Sequence, residues 1–352
     1  MTTNLPKRWT VINPLTGGGM SDTMLCFDSH LRRQVVFKTL KPGTSQKRIL
    51  DELAALSAIR SDHVVQVLDV IRDAHGVVGF IEEYVAGTDL DHSALTDFPS
   101  ALPTLRAISS GISDIHSHGR LHRDLKPDNM KIDGNGMLKI FDFGLAKTAN
   151  SGGTTNFYYS PGFTSPEAFK KNSAGLHEFS EAVDVYAFGA IALWMLDGGN
   201  LPDCMKELPA VAPKPPIDFT KVKLACPVAI ADVLSDCLSD TSGNRPTIQE
   251  VCRVLTREMQ KGTHRLTLTA GPNIHVVDAT KNRIPIRFEG AMVEISYDGY
   301  DFTITDIDGA VDINNMRMRV GSIISGSVII VLSGNGKRAF VTADASHPEI
   351  SQ

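Results

Sequence analysis

One pair of segments constrains this chain more than any other: HRDLKPDN at residues 122–129, followed by DFG at residues 142–144 after a short apolar strand. A single aspartate in such a position is most often a solvated turn residue without chemical function. That explanation would have to apply separately to Asp124, Lys126, Asn129 and Asp142, and it does not account for their spacing. The two segments therefore indicate one site that contains carboxylates, an amide and an ammonium group.

These segments resemble the catalytic loop and the metal-binding motif of the eukaryotic-type Ser/Thr protein kinases found in bacteria and phages. The resemblance extends over residues 9–262. It implies a bilobal α+β fold, with a β-rich N-lobe and a helical C-lobe. In that family Asp124 would orient the attacking hydroxyl, Lys126 would neutralise the γ-phosphate, and Asn129 and Asp142 would hold Mg²⁺. The implied cofactors are ATP and Mg²⁺.

A second part of the resemblance lies upstream, where VVFK at residues 35–38 matches the strand motif whose lysine binds the α- and β-phosphates. Lys38 would pair with a carboxylate on the following helix, which the apolar spacing of residues 45–60 predicts. Glu52 is the best candidate for that catalytic pairing. Asp51 stays an alternative, because periodicity fixes the face of a helix only roughly.

The glycine-rich loop departs from the pattern of the family. The segment LTGGGMS at residues 15–21 stands where the family has G-x-G-x-x-G, with Gly18 at the middle glycine position. The close approach of the backbone to phosphate needs a glycine there. Weaker ATP affinity is expected from this altered loop, and three glycines are alternatively only a flexible turn. The nucleotide-binding residues that the resemblance implies in this loop are Thr16, Gly17, Gly18, Gly19 and Ser21.

The adenine pocket would lie beneath a hinge that contains Glu83, Tyr84 and Val85, of which Glu83 and Val85 are candidate nucleotide contacts. This alignment places Glu82 at the gatekeeper position, which normally faces an apolar pocket. A buried carboxylate is costly unless it is paired. Either Glu82 has a partner, or the register slips by one residue.

The activation segment follows the DFG motif and ends at SPGFTSPE, residues 160–167. Ser160 stands where the resembling family has a threonine associated with Ser/Thr specificity. The resemblance also implies a buried ion pair between Glu167 and Arg245, and it implies that Asp184 braces the catalytic loop. Arg123 would bind a phosphorylated activation segment. The candidate phosphorylation sites are Thr148, Ser151, Thr154 and Thr155.

Residues 263–352 change in character to alternating apolar and polar residues separated by Asp-Gly and Gly-Asn turns, which predicts an all-β domain. The segments at 300–309, 311–315 and 326–330 resemble the second half of a forkhead-associated domain, a β-sandwich that binds phosphothreonine. Its binding residues match poorly, with Asn282-Arg283 and Phe288-Glu289-Gly290-Ala291 in the relevant places, and Glu289 would repel phosphate. A regulatory or phosphoprotein partner is therefore expected from a degenerate domain of this type, and a generic small β domain is the alternative.

Composition restricts the remaining possibilities. The net charge of −5 does not support nucleic-acid binding, which requires a basic surface. No apolar run reaches the roughly 20 residues of a membrane span, and the five scattered cysteines suit a cytoplasmic protein. The expected function is transfer of the ATP γ-phosphoryl group to Ser or Thr of protein substrates, with autophosphorylation. A pseudokinase scaffold and a small-molecule phosphotransferase are the alternatives.

Overall fold

The computed structural model describes residues 5–15, 21–40, 46–74, 76–143, 147–148 and 159–346. The chain forms two compact units, Met1–Leu255 and Thr256–Gln352. The boundary between these units falls inside a helix, Ile248–Met259. The domain junction that the sequence places between residues 262 and 263 lies slightly further along the chain and stays a prediction.

The first unit begins with a five-stranded antiparallel sheet in the order β1-β2-β3-β5-β4. Its strands are β1 (Trp9–Leu15), β2 (Ser21–Asp28), β3 (Arg33–Leu40), β4 (Val67–Asp73) and β5 (Gly76–Glu83), and helix α1 (Gln46–Ala58) follows β3. Lys38 lies opposite Phe80, and Val36 lies opposite Glu82, in the ladder between β3 and β5. Directly paired residues share a face of a sheet, and so do residues two apart. Lys38 and Glu82 therefore project from the same face.

The rest of the first unit is mainly helical, with short strands between the helices. The elements are β6 (Gly87–Asp89), α2 (Phe98–Ser117), β7 (Arg120–Leu121), β8 (Met130–Asp133), β9 (Leu138–Ile140), β10 (Lys147–Thr148), α3 (Ala182–Leu196), α4 (Asp203–Lys206), α5 (Val228–Cys237) and α6 (Ile248–Met259). Helix α2 begins at a capping box, in which the Asp97 side chain accepts from the Ser100 amide. Sheet and helices together give this unit its α+β composition.

Helix α3 occupies the interior of the first unit. Its residues are apolar on all sides and nearly all of them are buried, which is the pattern of a central core helix. Asp184, in its first turn, is its single charged residue and is 1% exposed. A buried carboxylate needs hydrogen-bond donors, and those that Asp184 finds belong to the candidate active site.

The second unit is an all-β region within the described residues 263–346. Its strands are β11 (Leu266–Ala270), β12 (Asn273–Val277), β13 (Arg283–Phe288), β14 (Ala291–Tyr297), β15 (Phe302–Asp308), β16 (Ala310–Ile313), β17 (Met316–Arg317), β18 (Ile323–Ile324), β19 (Ser327–Gly334) and β20 (Lys337–Ala345). They form a six-stranded sheet, β12-β11-β20-β19-β16-β17, and a four-stranded sheet, β13-β14-β15-β18. One apolar core contains buried residues from both sheets, among them Leu268, Val293, Ile304, Ile330 and Val341.

Two-residue turns fix the register of the hairpins in this region. Asn314 and Asn315 join β16 to β17, and Asn335 and Gly336 join β19 to β20, all four with positive φ. Turns of this kind match the twist of the flanking strands and favour Asn and Gly. Within the part of the chain that the structure describes, no helix has the length and apolar character of a membrane span.

Candidate active site

A buried ion pair of the site joins β3 to α1. Lys38 Nζ donates to Glu52 Oε1 at 2.6 Å and to Asp142 Oδ1 at 2.9 Å. The Lys38 and Glu52 side chains are 5% and 6% exposed. Glu52, rather than its neighbour Asp51, is thus the carboxylate that reaches Lys38.

Lys38 stays charged although it is buried. Burial alone lowers the pKa of an ammonium group, but the carboxylates of Glu52, Asp142 and Glu82 more than reverse this and raise the pKa of Lys38 above its ordinary value. A fixed positive charge at this position suits the binding of phosphate oxygens.

Asp142 has a strained backbone conformation. Its φ is +64°, a left-handed conformation that non-glycine residues seldom adopt. The next residue, Phe143, is fully buried, and its ring packs edge-on against the imidazole of His122 with 4.6 Å between centroids. The Asp142 side chain remains 37% exposed. The aromatic anchor thus holds the segment while the carboxylate stays accessible to a ligand.

The carboxylate of Asp124 is the centre of a second cluster. Lys126 Nζ donates to its Oδ2 at 2.9 Å, and the Ser160 hydroxyl donates to its Oδ1 at 2.5 Å. Asn129 Nδ2 donates to the Asp124 carbonyl oxygen at 2.8 Å and lies 3.2 Å from Oδ2. The four residues that the sequence places in the catalytic loop and at the end of the activation segment are therefore in direct contact.

The catalytic loop is held from below by Asp184 of α3. Its carboxylate accepts from the backbone amides of His122 at 2.9 Å and Arg123 at 2.8 Å. His116 Nε2, on α2, donates to the same carboxylate at 3.0 Å. Burial alone raises the pKa of Asp184, but these donors lower it below its ordinary value. Arg123 is held at φ +70°, so the loop keeps a strained conformation because a buried anion binds its amides.

A buried ion pair stabilises the segment that follows Ser160. Arg245 Nη1 and Nη2 bind the two carboxylate oxygens of Glu167 at 2.5 and 2.8 Å. Arg245 also donates to the carbonyl oxygens of Ala182 and Ser239. This bidentate geometry is the strong form of an arginine–carboxylate contact.

The hinge residues follow β5. The Glu83 carboxylate lies 3.1 Å from Lys139 Nζ, and the Glu83 amide donates to the Gln66 carbonyl oxygen. Val85 is buried. These contacts fix the hinge backbone, and they leave the nucleotide-binding roles of Glu83 and Val85 as proposals.

Glu82, at the gatekeeper position, lies in the regular part of the β3–β5 ladder and is 7% exposed. Its Oε2 has no hydrogen-bond partner among the described residues. Burial, together with the charges of Glu52, Asp142 and Glu83, raises the pKa of Glu82 to about 7, against the opposing effect of Lys38. Of the two alternatives, a partner for Glu82 or a slip of the register, the first is not met by a hydrogen bond to Oε2 among the described residues, and the second stays untested.

Some of the predicted site residues lie outside the part of the chain that the structure describes, or have only their backbone described. Thr16, Gly17, Gly18 and Gly19 of the glycine-rich loop lie outside the described residues. Three candidate phosphorylation sites, Ser151, Thr154 and Thr155, do so as well. Ser21 begins β2 and Thr148 ends β10, and only their backbones are described.

Sequence reasoning did not single out His116. A lone histidine in an apolar helix pattern gives no signal of its own, and its partner Asp184 lies 68 residues away in the chain. The amphipathic pattern of α2 predicts that position 116 faces the core, and a buried histidine requires a polar partner. That requirement is the one signal that points to His116.

The geometry agrees with the comparison to known proteins. The chain matches the protein kinase domain family over residues 9–254, which is more than half of its 352 residues. The chain therefore belongs to the protein kinase domain family.

Its relatives include bacterial and mammalian kinases. The serine/threonine-protein kinase drp72 of Corynebacterium efficiens is 35% identical over 197 residues, which cover 51% of this chain and 37% of the relative. The probable serine/threonine-protein kinase pknA2 of Bifidobacterium longum is 30% identical, covering 54% of this chain and 26% of the relative. Mitogen-activated protein kinase 12 of the mouse is 28% identical, covering 60% of both. The chain thus spans from about a quarter to three fifths of the length of these relatives.

Proposed function

We propose that this chain is a serine/threonine protein kinase that transfers the γ-phosphoryl group of ATP to hydroxyl groups of proteins. The single observation that carries the proposal is the cluster at Asp124, where Lys126 and Ser160 each donate to one oxygen of the same carboxylate. A carboxylate held in this way can orient a hydroxyl nucleophile and accept its proton. Family membership and the names of the relatives support the same activity.

The donor set fits a magnesium ion. Both proposed ligands, Asn129 and Asp142, offer the hard oxygen atoms that Mg²⁺ prefers. Asn129 Nδ2 is engaged by Asp124, so the side-chain oxygen of Asn129 is the atom left for a ligand. A bound Mg²⁺ would neutralise charge on the phosphate oxygens.

Each of the other residues has a separate task in this proposal. Lys38, fixed by Glu52, would bind the α- and β-phosphates of ATP, and Lys126 would neutralise charge that develops on the γ-phosphoryl oxygens. Asp124 would orient the substrate hydroxyl and take its proton. Positioning and electrostatic stabilisation account for most of the catalysis of phosphoryl transfer, so these residues need no covalent step.

The specificity for serine and threonine is also part of the proposal. Ser160 lies against Asp124, at the position where the resembling kinases have the threonine associated with this specificity. The site then lies between two lobes of a bilobal fold, one built on the five-stranded sheet and the other on the helices from α2 onward. ATP would enter between them, beneath the hinge at Glu83 and Val85.

A non-catalytic scaffold is the second candidate function, and Glu82 is the observation that favours it. A buried carboxyl group with an unpaired oxygen beside Lys38 opposes the entry of another anion. The intact contacts of Lys38, Asp124, Asn129 and Asp142 support the catalytic alternative.

For the second unit we propose a forkhead-associated-like sandwich that has lost phosphothreonine binding and instead contacts a regulatory protein. Arg283, at the position that resembles a phosphate-binding arginine, lies 2.5 Å from Glu294. Glu289 occupies a turn and pairs with Lys337 at 3.1 Å. An arginine neutralised by its own strand neighbour, beside a second carboxylate, is a poor phosphate site. Titration with a phosphothreonine peptide library tests this, and low-micromolar binding that dephosphorylation abolishes would contradict it.

The activity is tested by incubating the purified protein with labelled ATP, Mg²⁺ and a mixed protein substrate. We expect phosphoserine and phosphothreonine to form with the native chain and not with Asp124→Ala. Asp128→Ala is the matched control, because Asp128 is an exposed carboxylate in the same loop. Equal labelling by the native chain and Asp124→Ala would contradict the proposal, and ATP binding without transfer would support the scaffold.

A further inference from the structure

The outward face of the six-stranded sheet in the second unit exposes large apolar side chains. Along β19 and β20 the residues alternate, so that Ile330 and Val341 enter the core while their neighbours project outward. Among the outward residues Ile274, Ile329 and Phe340 are 66%, 47% and 63% exposed. Large apolar side chains exposed together on one face of a sheet mark a candidate interaction surface.

The strand registers place these residues in two adjacent rows, which we name the outer patch. Directly paired residues of neighbouring strands lie about 4.5–5.5 Å apart, close enough to form one continuous surface. The first row consists of Ile274, Thr269, Thr342 and Ile329. The second contains Phe340 and Val331, and it continues on β16 and β17 with Asp312 and Arg317, which form an ion pair with each other.

Two opposite charges flank the outer patch on its central strand, β20. Arg338 lies two residues before Phe340 on the same face, and Asp344 lies two residues after Thr342. The two charged residues are therefore equally distant from Val341, and about 20 Å apart at the usual rise of a strand. Asp344 accepts a hydrogen bond from the hydroxyl of Ser327 on β19, which fixes its carboxylate on this face.

This pattern is complementary to itself under a two-fold rotation. If a second sheet face is laid on the first with its β20 antiparallel, Arg338 of each copy meets Asp344 of the other. Phe340 then lies against Thr342 of the second copy. Aligned sheets pack within about 30° of each other, and the long arginine side chain can span the offset that this angle produces.

We propose that the outer patch binds the outer patch of a second copy of this chain, and that two reciprocal Arg338–Asp344 ion pairs fix the antiparallel register. Isologous contacts of this kind are the commonest way for soluble chains to form dimers. The residues between Arg338 and Asp344 on β20 and their neighbours on β19 would bury the exposed apolar surface, and these two charges would select the orientation.

The size of the face suits a weak, reversible dimer. The six strands contain 33 residues, and at a strand spacing of about 4.8 Å and a rise of about 3.4 Å per residue they form a face of roughly 500 Å². A standard interface buries roughly 800 Å² on each partner, so this contact lies at the small end of the range. A second copy is favoured over an unrelated ligand because Arg338 and Asp344 of each copy then both find a partner of opposite charge in one symmetric contact.

The test is sedimentation analysis of the full chain over a wide range of concentrations. We expect a reversible dimer for the native chain. Asp344→Arg and Arg338→Asp should each weaken dimerisation by at least about tenfold, because each places like charges opposite one another. Asp306→Arg is the matched control, since Asp306 is an exposed aspartate on β15 of the other sheet and its reversal should leave the dimer unchanged.

Charge complementation makes the test specific. The double variant Arg338→Asp/Asp344→Arg should dimerise again, and an equimolar mixture of the two single variants should form a heterodimer, because opposite charges meet in both cases. Restored association also shows that the single variants are folded. A native chain that stays monomeric at all concentrations, or single variants whose mixture fails to associate, would overturn the proposal.

Discussion

The hydroxyl of Ser160 donates a hydrogen bond to Oδ1 of Asp124, although the two residues are 36 positions apart in the chain. The ammonium group of Lys126 holds the other oxygen of that carboxylate and lies 3.3 Å from the same hydroxyl. The end of the activation segment and the catalytic loop therefore share one carboxylate. Its orientation depends on the position of Ser160.

We expect Ser160→Ala to lower kcat by about tenfold to a hundredfold, because one hydrogen bond to a charged group contributes about 1.5–3 kcal/mol. Ser160→Thr keeps the hydroxyl and should retain most of the native activity. Steady-state rates with a serine or threonine peptide measure both variants. A Ser160→Ala enzyme that is as active as the native one would show that the contact has no part in turnover.

Lys38→Met and Asp142→Ala should each abolish phosphoryl transfer while the chain stays folded. Lys38→Met leaves the buried carboxylate of Glu52 without its cation, so the melting temperature of the variant should fall. The decrease should be larger at high pH than at low pH, because a protonated carboxyl group needs no cation. Transfer of label and thermal melting measure the two effects. Turnover near the native level in either variant would disprove the site assignment.

Glu82 makes the folded state less stable as the pH rises. Its pKa in the folded chain is about 7, above the ordinary value of 4.5, so between these values the folded state binds more protons than the unfolded state and stability falls with increasing pH. Glu82→Gln removes this dependence. It should stabilise the chain by on the order of 3 kcal/mol near pH 8 and by little near pH 4.

Denaturant unfolding at the two pH values measures the difference for Glu82. The control is Glu83→Gln, which removes the neighbouring carboxylate, one that already has Lys139 as a partner. A Glu82→Gln variant that is less stable than the native chain at high pH would contradict the prediction, since it would reveal a stabilising partner for the carboxylate.

Arg245→Ala should destabilise the first unit by about 3–5 kcal/mol, because it leaves the Glu167 carboxylate without its buried partner. Arg257→Ala is the control, since its ion pair with Asp301 is exposed and contributes less than about 1 kcal/mol. Urea unfolding measures both. Equal effects of the two substitutions would be inconsistent with a structural role for the buried pair.

The native chain should phosphorylate itself in the segment after the DFG motif, on at least one of Thr148, Ser151, Thr154 and Thr155. A phosphate adds about −1.5 to −2 charges and can order a segment by binding an arginine. Arg123, whose guanidinium lies 4.1 Å above the Phe179 ring, adjoins Asp124, the residue proposed to orient the substrate hydroxyl. Peptide mass analysis measures the modification, with protein carrying Asp124→Ala as the control, and active enzyme without phosphate there would refute it.

The contacts among the proposed catalytic residues could be predicted from the sequence only where these residues are neighbours in the chain, and their roles stay predictions. Asp124, Lys126 and Asn129 are close together in the chain, so their contacts follow from a single loop. The sequence could not decide between Asp51 and Glu52. Which of two adjacent helix positions faces Lys38 depends on how the helix packs against the sheet. The distance between Glu52 and Lys38 decides it.

The C-terminal strands were predictable for a different reason. Alternating residues and turn residues such as Asn335-Gly336 are local signals, and the hairpins follow them. The order of strands in the two sheets depends on which strands meet across long separations, as β11 meets β20. No local signal carries that information, since it arises from burial of one shared core.

The anchoring of the catalytic loop on Asp184 limits how this molecule can be switched off. The carboxylate is buried in α3 and binds two loop amides and His116, so the loop cannot change shape unless these bonds break inside the core. Heat should therefore remove catalysis and core packing in one step, without an earlier loss of function. Any reversible control of the molecule has to act through elements that move against this fixed loop.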